Sequence, residues 1–326
     1  MNSSLKLIAD IGGTNARFAL CDDSLQISDE RQLRCSDYPN IEDAIDYYLK
    51  AVSATGRIIE ASLAIAAPLS GDQISMTNHS WHFSVSGLRQ RMNWRRLIVL
   101  NDFTALAMAI RHLPAKELRQ LGGTAHASEA PIALLGAGTG LGVSGLVYSG
   151  EHWLPLQGEG GHVSLSPGTE RELAAVRQLW RRYDHVSAER VLSGPGLVSL
   201  YAALCELDGV AAQAYQAADI TEHGLNASNP QCAETLAMFC ALLGSVAGNL
   251  VLTLGATQAV YVGGGIVPRL GDYFAQSPFR HRFESKGRYV EYLRPVPVYV
   301  IHSAQPAFVG LAHSFGSPGS RIESRG

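Results

Sequence analysis

Asp102 directly follows the apolar run Leu97-Ile98-Val99-Leu100 and Asn101, and directly precedes Phe103-Thr104-Ala105, so a carboxylate falls where a strand gives way to a helix. In an open α/β sheet that position lies beyond the carboxyl end of a strand, where ligands bind. A carboxylate there has two uses. It can take the proton of a hydroxyl attacking a phosphoryl group, or it can cap the helix by accepting from the first backbone N–H groups. Position alone leaves both open, and caps are the commoner use.

Two further acids come with small or polar neighbours. Gly158-Glu159-Gly160-Gly161-His162 puts a carboxylate and an imidazole on a backbone free to take unusual angles, which suits a loop closing on a small polar ligand and equally suits a solvated loop. Glu189, in Ser187-Ala188-Glu189-Arg190, reads as a second sugar-binding carboxylate or as part of a helix cap beside Ser187. His79, Trp81 and His82 read most simply as loop and core residues. No spacing of His, Asp and Glu resembles a metal site built from protein ligands alone.

The phosphate chemistry belongs to glycine turns. Leu5 to Asp22 holds two short apolar runs, Leu7-Ile8-Ala9 and Phe18-Ala19-Leu20, around Asp10-Ile11-Gly12-Gly13-Thr14-Asn15. This predicts a β-hairpin in which Gly12 and Gly13 adopt φ > 0 and bring N–H groups close to an anion. The negative Asp10 is awkward beside a phosphate unless a divalent cation lies between them, which points to a Mg-nucleotide. An ordinary glycine hairpin is the plain alternative. A second turn, Gly136 to Gly142, offers further donors and the Thr139 hydroxyl around Gly138 and Gly140. Gly140-x-Gly142-x-x-Gly145 does not make a dinucleotide fingerprint, because Val143 to Tyr148 reads as a strand, and no Gly-Lys pair exists for a Walker A loop. Gly263-Gly264-Gly265 after a strand is either a close approach to a nucleoside or a helix-entry turn.

Elements that position these residues follow from periodicity. Helices are expected over Ile41–Val52, Phe103–Ile110, Thr169–Tyr183, Ala188–Leu192, Gly196–Glu206, Ala233–Leu254 and Pro306–Phe315. Strands are expected over Ser62–Ala66 ahead of Pro68, Leu97–Leu100, Ile132–Leu135, Val143–Tyr148, Ala259–Val262 and Val296–Ile301, and a turn at Ser70-Gly71-Asp72 leads to Ile74-Ser75-Met76. Two units, each opening with a hairpin closed by a Gly/Thr turn, imply a duplicated α/β architecture with a cleft between the halves.

Composition narrows the classes. With 326 residues, 46% hydrophobic and 17% charged, the chain can bury a sizeable core, and a net charge of −3 gives no general attraction to nucleic acid or anionic membranes. Cys21, Cys35, Cys205, Cys232 and Cys240 form no C-x-x-C and fit a reducing cytoplasm. No charge occurs between Glu234 and Arg269, long enough to raise a membrane span with Gly244-x-x-x-Gly248 as a pairing motif. Ser245, Asn249, Thr253 and Gly255 interrupt it, so a buried helix followed by a buried strand is expected instead.

Seven segments in order resemble the bacterial glucokinases of the hexokinase/actin-like ATPase superfamily. They are Asp10-Ile11-Gly12-Gly13-Thr14-Asn15-Ala16-Arg17, Met76-Thr77-Asn78-His79-Ser80-Trp81, Asn101-Asp102-Phe103-Thr104-Ala105, Gly136 to Gly142, Gly158 to Val163, Ser187 to Gly196, and Gly264-Gly265-Ile266-Val267-Pro268-Arg269. The resemblance implies two actin-like (ribonuclease H-like) α/β lobes with a central cleft, and a cytoplasmic homodimer that phosphorylates glucose at its 6-hydroxyl with ATP and Mg2+. Ala9, Asp10, Ile11, Gly12, Gly13 and Thr14 would hold the ATP phosphates together with Gly138, Thr139 and Gly140. Gly264 and Gly265 would meet the nucleoside, and Asp10 would serve Mg2+ through water. Asn101, Asp102, Glu159, His162 and Glu189 would bind the sugar, with Asp102 as base. Related kinases of the repressor/kinase group carry a cysteine-rich zinc motif after their Gly-His pair; Val163-Ser164-Leu165-Ser166-Pro167 has no cysteine, so no zinc is expected. A sugar-responsive repressor would need a DNA-binding helix-turn-helix ahead of the first strand, and no room for one is seen. The small lobe is expected over 1–111, completed by a helix at 304–316, the large lobe over 112–303, and 317–326 as a disordered tail outside the family pattern.

Overall fold

The computed structural model describes residues 4–67, 69, 71–76, 79–125, 129–316 and 322–325. Expectations on Pro68, Ser70, Thr77, Asn78, residues 317–321 and Gly326 lie outside the described residues. The chain divides into two compact units. One comprises Met1–Leu113, Ser149–Gln157 and Ser303–Gly326, the other Pro114–Tyr148 and Gly158–His302. The boundaries expected at 112 and 303 leave out Ser149–Gln157, which groups with the first unit, where the Arg111 guanidinium lies 4.6 Å over the Trp153 ring.

In the first unit the sheet runs in the order Ile322–Arg325, Arg96–Asn101, Glu60–Ile65, Lys6–Ile11, Asn15–Cys21, Ile27–Arg34. Lys6–Ile11 and Asn15–Cys21 form the antiparallel hairpin, and Glu60–Ile65 and Arg96–Asn101 extend it in parallel. Every residue of Glu60–Ile65 is buried, as befits a strand covered on both faces. Helix Ile41–Ala51 is one of the covers. Asn40 caps it by accepting from the Asp43 N–H, Glu42 and Asp43 occupy its positive end, and Ile41, Ala44, Ile45, Tyr48 and Leu49 form its buried stripe.

Within the second unit the strands follow the order Leu141–Tyr148, Ile132–Ala137, Ala259–Gly263, Val298–Ile301, Leu118–Gln120. An antiparallel hairpin is again followed by two parallel strands and then an antiparallel strand. The first unit repeats that sequence from Asn15–Cys21 to Ile322–Arg325, which makes each unit a version of one plan.

Helix Pro230–Leu254 starts under an Asn229 cap with Pro230 at its first position and ends at Gly255, whose φ of 64° is left-handed. It is long and apolar enough to cross a membrane, yet 78% of its most apolar window is buried inside the protein. A Cβ at Gly244 or Gly248 would collide with the backbone of helix Phe279–Glu284. The small-residue spacing therefore serves close packing in a protein core.

Two expectations need correction, and two further elements were not expected. Ala188–Leu192 forms turns rather than a helix, because Ser187, Ala188 and Glu189 spend their backbone groups on Arg190, Val163, Leu192 and Gly161. The tail is not wholly disordered, since Ile322–Arg325 is a strand paired with Arg96–Val99 and held by an Arg96–Glu323 ion pair of 2.9 Å. Helix Ala217–Leu225, closed by reciprocal Gln216 and Asp219 caps, lies in a stretch to which the sequence reading assigns no element. Strand Ile27–Arg34, unmarked in the sequence, adds an edge to the first sheet.

Candidate active site

The first unit carries Ala9 to Thr14, Asn101 and Asp102. Ala9 and Ile11 are buried in the strand, while Gly12, Gly13 and Thr14 form the turn after the last hairpin pair, Ile11 with Ala16. The Gly12 N–H donates to the Asn15 carbonyl at 2.9 Å, and the Thr14 carbonyl accepts from the Cys35 N–H at 2.9 Å. Neither Gly12 nor Gly13 is among the residues with positive φ, so the expected left-handed turn is not the one used. Thr14 is exposed at the tip.

The hairpin register places Asp10 opposite Arg17, and Arg17 Nη1 donates to Asp10 Oδ2 at 3.1 Å. Arg17 Nε also donates to Gln32 Oε1 at 3.2 Å, and Gln32 Nε2 to Asn15 Oδ1 at 3.2 Å, so three strands share one polar row. Burial raises the Asp10 carboxyl above its ordinary value and the Arg17 charge opposes that rise. Arg17 is a partner that residue types alone do not mark; opposite charges facing each other across a hairpin are the signal that reveals it. The Asp10 carboxyl, 23% exposed, has Oδ1 beyond the oxygen that Arg17 engages. A magnesium ion arriving with nucleotide phosphates fits this donor set, because it needs oxygen ligands and few from the protein. Among the described residues no three His, Cys, Asp or Glu side chains gather as a metal-binding group.

Asn101 ends strand Arg96–Asn101 and is the residue that caps helix Asp102–Ala109. Its Oδ1 accepts from the Phe103 and Thr104 N–H groups at 2.9 and 3.3 Å, and its Nδ2 donates to the Ala67 carbonyl at 3.3 Å. The cap that the sequence offered to Asp102 thus falls to its neighbour. Asp102 takes the first helical position, half-buried, with Oδ1 accepting from the Phe103 N–H at 2.9 Å. Its helix is seated by Pro306–Ser314, where a Cβ at Gly310 would collide with the Ala105 carbonyl.

The second unit brings together the remaining candidates. Gly138-Thr139-Gly140 forms the hairpin turn, closed by Gly138 N–H to the Gly140 carbonyl at 2.8 Å and held from outside by Gly194 N–H to the Gly138 carbonyl at 2.8 Å. Glu189 Oε2 accepts from the Leu141 N–H at 2.9 Å, next to that turn. Glu189 Oε1 lies 4.0 Å from His162 Nδ1, and the Glu189 N–H donates to the Gly161 carbonyl at 2.9 Å. Glu159 and His162 flank a single helical turn and are both exposed. The capping role considered for Glu189 does not hold; Ser187 Oγ accepts from the Arg190 N–H, whereas the Glu189 carboxylate reaches 48 residues away. Gly264 has φ 80°, and a Cβ there would collide with the Ala137 carbonyl. A Cβ at Gly136 would lie 2.6 Å from the Gly263 carbonyl carbon, so these glycines let the two strand ends touch, while Gly265 faces open space.

Each unit therefore presents a glycine hairpin turn with carboxylates at neighbouring strand or loop ends. Known proteins match the chain over most of its length. The Glucokinase family model matches residues 7–317. A curated glucokinase of Chromobacterium violaceum is 50% identical over 313 residues, covering 94% of this chain and 88% of that one. One of Neisseria gonorrhoeae is 47% identical over 312 residues, covering 96% and 95%. The crystal structure of a glucokinase from an Antarctic psychrotroph matches with a TM-score of 0.86 at 35% identity, over 96% of this chain and 99% of that chain. A Balamuthia mandrillaris glucokinase in complex with glucose shares the fold, with a TM-score of 0.77 at 18% identity over 95% and 93%. The fold is thus of the actin-like α/β class shared by glucokinases and related sugar kinases. With the match running from the first strand through the C-terminal helix, the chain belongs to the glucokinase family.

Proposed function

We propose that this chain transfers the γ-phosphoryl group of ATP to the 6-hydroxyl of D-glucose, with Asp102 as general base. The observation that carries the reading is the bond from Leu141 N–H to Glu189, which joins a carboxylate suited to a polyol to a turn suited to phosphate. Family membership supports the same activity.

Phosphoryl transfer asks little covalent chemistry of the protein; it asks that the hydroxyl be in line with the phosphorus and that charge on the transferring oxygens be met. Backbone N–H groups of Gly13, Thr14, Thr139 and Gly140, beside the turn bonds made by Gly12 and Gly138, bind phosphate oxygens, and Gly265, next to the close strand contact at Gly264, leaves the nucleoside room. Asp10, oriented by Arg17, is the residue that would hold Mg2+. When bound, Mg2+ neutralises charge on the β- and γ-phosphates. Glu159, His162 and Glu189 accept from and donate to sugar hydroxyls. Asn101 has given both acceptor sites of Oδ1 to the helix, so its contribution to the sugar is limited to a remaining Nδ2 hydrogen and to orienting Asp102. Asp102 takes the proton of the attacking hydroxyl. Several polar groups converging on one sugar discriminate against analogues lacking a hydroxyl by about 10⁴ or more, because each mismatch leaves a group unpaired.

The five cysteines, all free and buried, support a reducing cytoplasmic setting, and the family resemblance supports a homodimer. ADP release measured with a panel of hexoses and amino sugars tests the reading. Glucose is expected to be turned over with the highest kcat/KM; a better amino-sugar or epimer substrate would replace glucose as the assignment, and no sugar-dependent ADP would overturn it.

A further inference from the structure

We propose that Gln32 is a positioning residue of the phosphate hairpin. Its amide holds Arg17 against Asp10 and, at the same time, the Asn15 side chain at the end of the Gly12–Thr14 turn. The proposal rests on the function given above, since Asp10 and the turn act together only on a metal-bound phosphate, and it adds a residue from the edge strand to that site.

Strand register brings the row together. Asp10 lies opposite Arg17 across one hairpin and Arg17 opposite Gln32 across the next, so their side chains stand side by side on one face of the sheet. Arg17 Nη1 donates to Asp10 Oδ2 at 3.1 Å while its Nε donates to Gln32 Oε1 at 3.2 Å. Gln32 Nε2 donates to Asn15 Oδ1 at 3.2 Å. Arginine offers no acceptor, so the Gln32 amide can meet it only with oxygen, and its hydrogens are left for Asn15. A methionine of the same length could serve neither partner.

The Arg17 side chain is 41% exposed. An ion pair with an arginine that water reaches is worth little and fixes its own geometry poorly. The bond at Nε changes this, because Nε and Nη1 belong to one rigid plane. With both engaged the guanidinium cannot swing away, and Asp10 keeps Oδ2 on Arg17 with Oδ1 left for the metal. The turn is gripped from the same edge. Cys35, directly after strand Ile27–Arg34, donates its N–H to the Thr14 carbonyl at 2.9 Å and its thiol to the Gly12 carbonyl at 3.4 Å. Asn15 accepts the Gly12 N–H at its backbone carbonyl and the Gln32 amide at its side chain. Gln32 is thus the one amide that bonds to both the partner of the carboxylate and the residue that closes the turn.

The test is calorimetric titration with AMPPNP in excess Mg2+ and again in excess EDTA, which reads binding without turnover. The ratio of the two affinities measures what the metal adds to phosphate binding. Gln32→Met is expected to lower that ratio by about three- to tenfold, the worth of one net hydrogen bond, with the melting midpoint and the affinity for glucose alone unchanged. In an Arg17→Lys background, which has no Nε to donate, Gln32→Met is expected to change the ratio by less than about twofold. Gln32→Asn, too short to reach both partners, takes its place if Gln32→Met does not fold. A merely structural role would weaken glucose and nucleotide alike and keep the ratio. A wild-type ratio in the folded variant, or an equal effect of Gln32→Met with and without Arg17→Lys, overturns the proposal. Wild-type protein that binds AMPPNP equally with and without Mg2+ would instead remove the assignment of Asp10 and the turn to a metal-bound phosphate, and the proposal would fall with it.

Discussion

His313 stacks face to face on His112, with ring centroids 3.4 Å apart and planes within 8° of parallel. His112 closes the short turn after helix Asp102–Ala109, and His313 lies in the last turn of Pro306–Ser314, so the pair joins the helix bearing the proposed base to the helix that seats it. Burial holds both imidazoles below their ordinary value of 6.5, and for His112 the neighbouring His313 and Arg111 charges add to the effect. A histidine with a depressed folded pKa binds more protons when unfolded, so stability rises with pH. The contribution is complete above about 6.5 and declines as pH falls through the lower folded values. Thermal melts across this range should show a falling midpoint on acidification, with a shallower slope for His313→Phe; parallel slopes would count against the stack as the cause.

Asp102→Asn keeps an oxygen to accept the Phe103 N–H and leaves the Asn101 cap in place. Fold and glucose affinity should persist, and turnover should fall by roughly 10² to 10⁴. Stopped-time ADP assays together with glucose titration check both parts. Turnover near wild type would take the base role from Asp102.

Gly310→Ala puts a methyl group into the Ala105 carbonyl and 3.1 Å from the Ala109 nitrogen. The helices must separate, at a cost of about 1–3 kcal/mol for overpacking, and Asp102 shifts with its helix. Urea unfolding should show the lower stability, accompanied by lower kcat; full stability would mean that the contact relaxes freely.

Deleting residues 321–326 removes the strand that covers Arg96–Asn101 and leaves Arg96 without Glu323. The melting midpoint should drop, by about 2–4 °C for each kcal/mol lost. Light scattering on heating should also rise, because an edge of buried sequence is uncovered. An unchanged midpoint would make the strand an ornament of the sheet.

Both hairpins are legible in the sequence because their strands are apolar on both faces and their turns are glycine-rich. Ile27–Arg34 is not, since an edge strand with mostly exposed side chains needs no apolar alternation and draws its order from the backbone ladder. Ile322–Arg325 hides in a polar tail because its partners, Arg96 and Arg89, lie more than two hundred positions earlier. At the site, residue types suffice to mark Asp102, Glu159, His162 and Glu189 as candidates. Asn101 and Asp102 are both good caps, and only the backbone angles at the strand end, extended at Asn101, decide between them. The Leu141 partner of Glu189 is invisible for a different reason: a backbone N–H carries no side-chain signature.

The first unit is assembled from three separate stretches of chain, the last being Ser303–Gly326. During synthesis all of Pro114–His302 therefore leaves the ribosome before the first unit can be finished. The second unit is free to fold as a continuous body apart from one excursion, whereas the first waits with helix Asp102–Ala109 unseated and the edge of Arg96–Asn101 uncovered. Arrival of Pro306–Ser314 and Ile322–Arg325 completes it, so the segment given the proton-transfer role is among the earliest made and the latest to be locked in place.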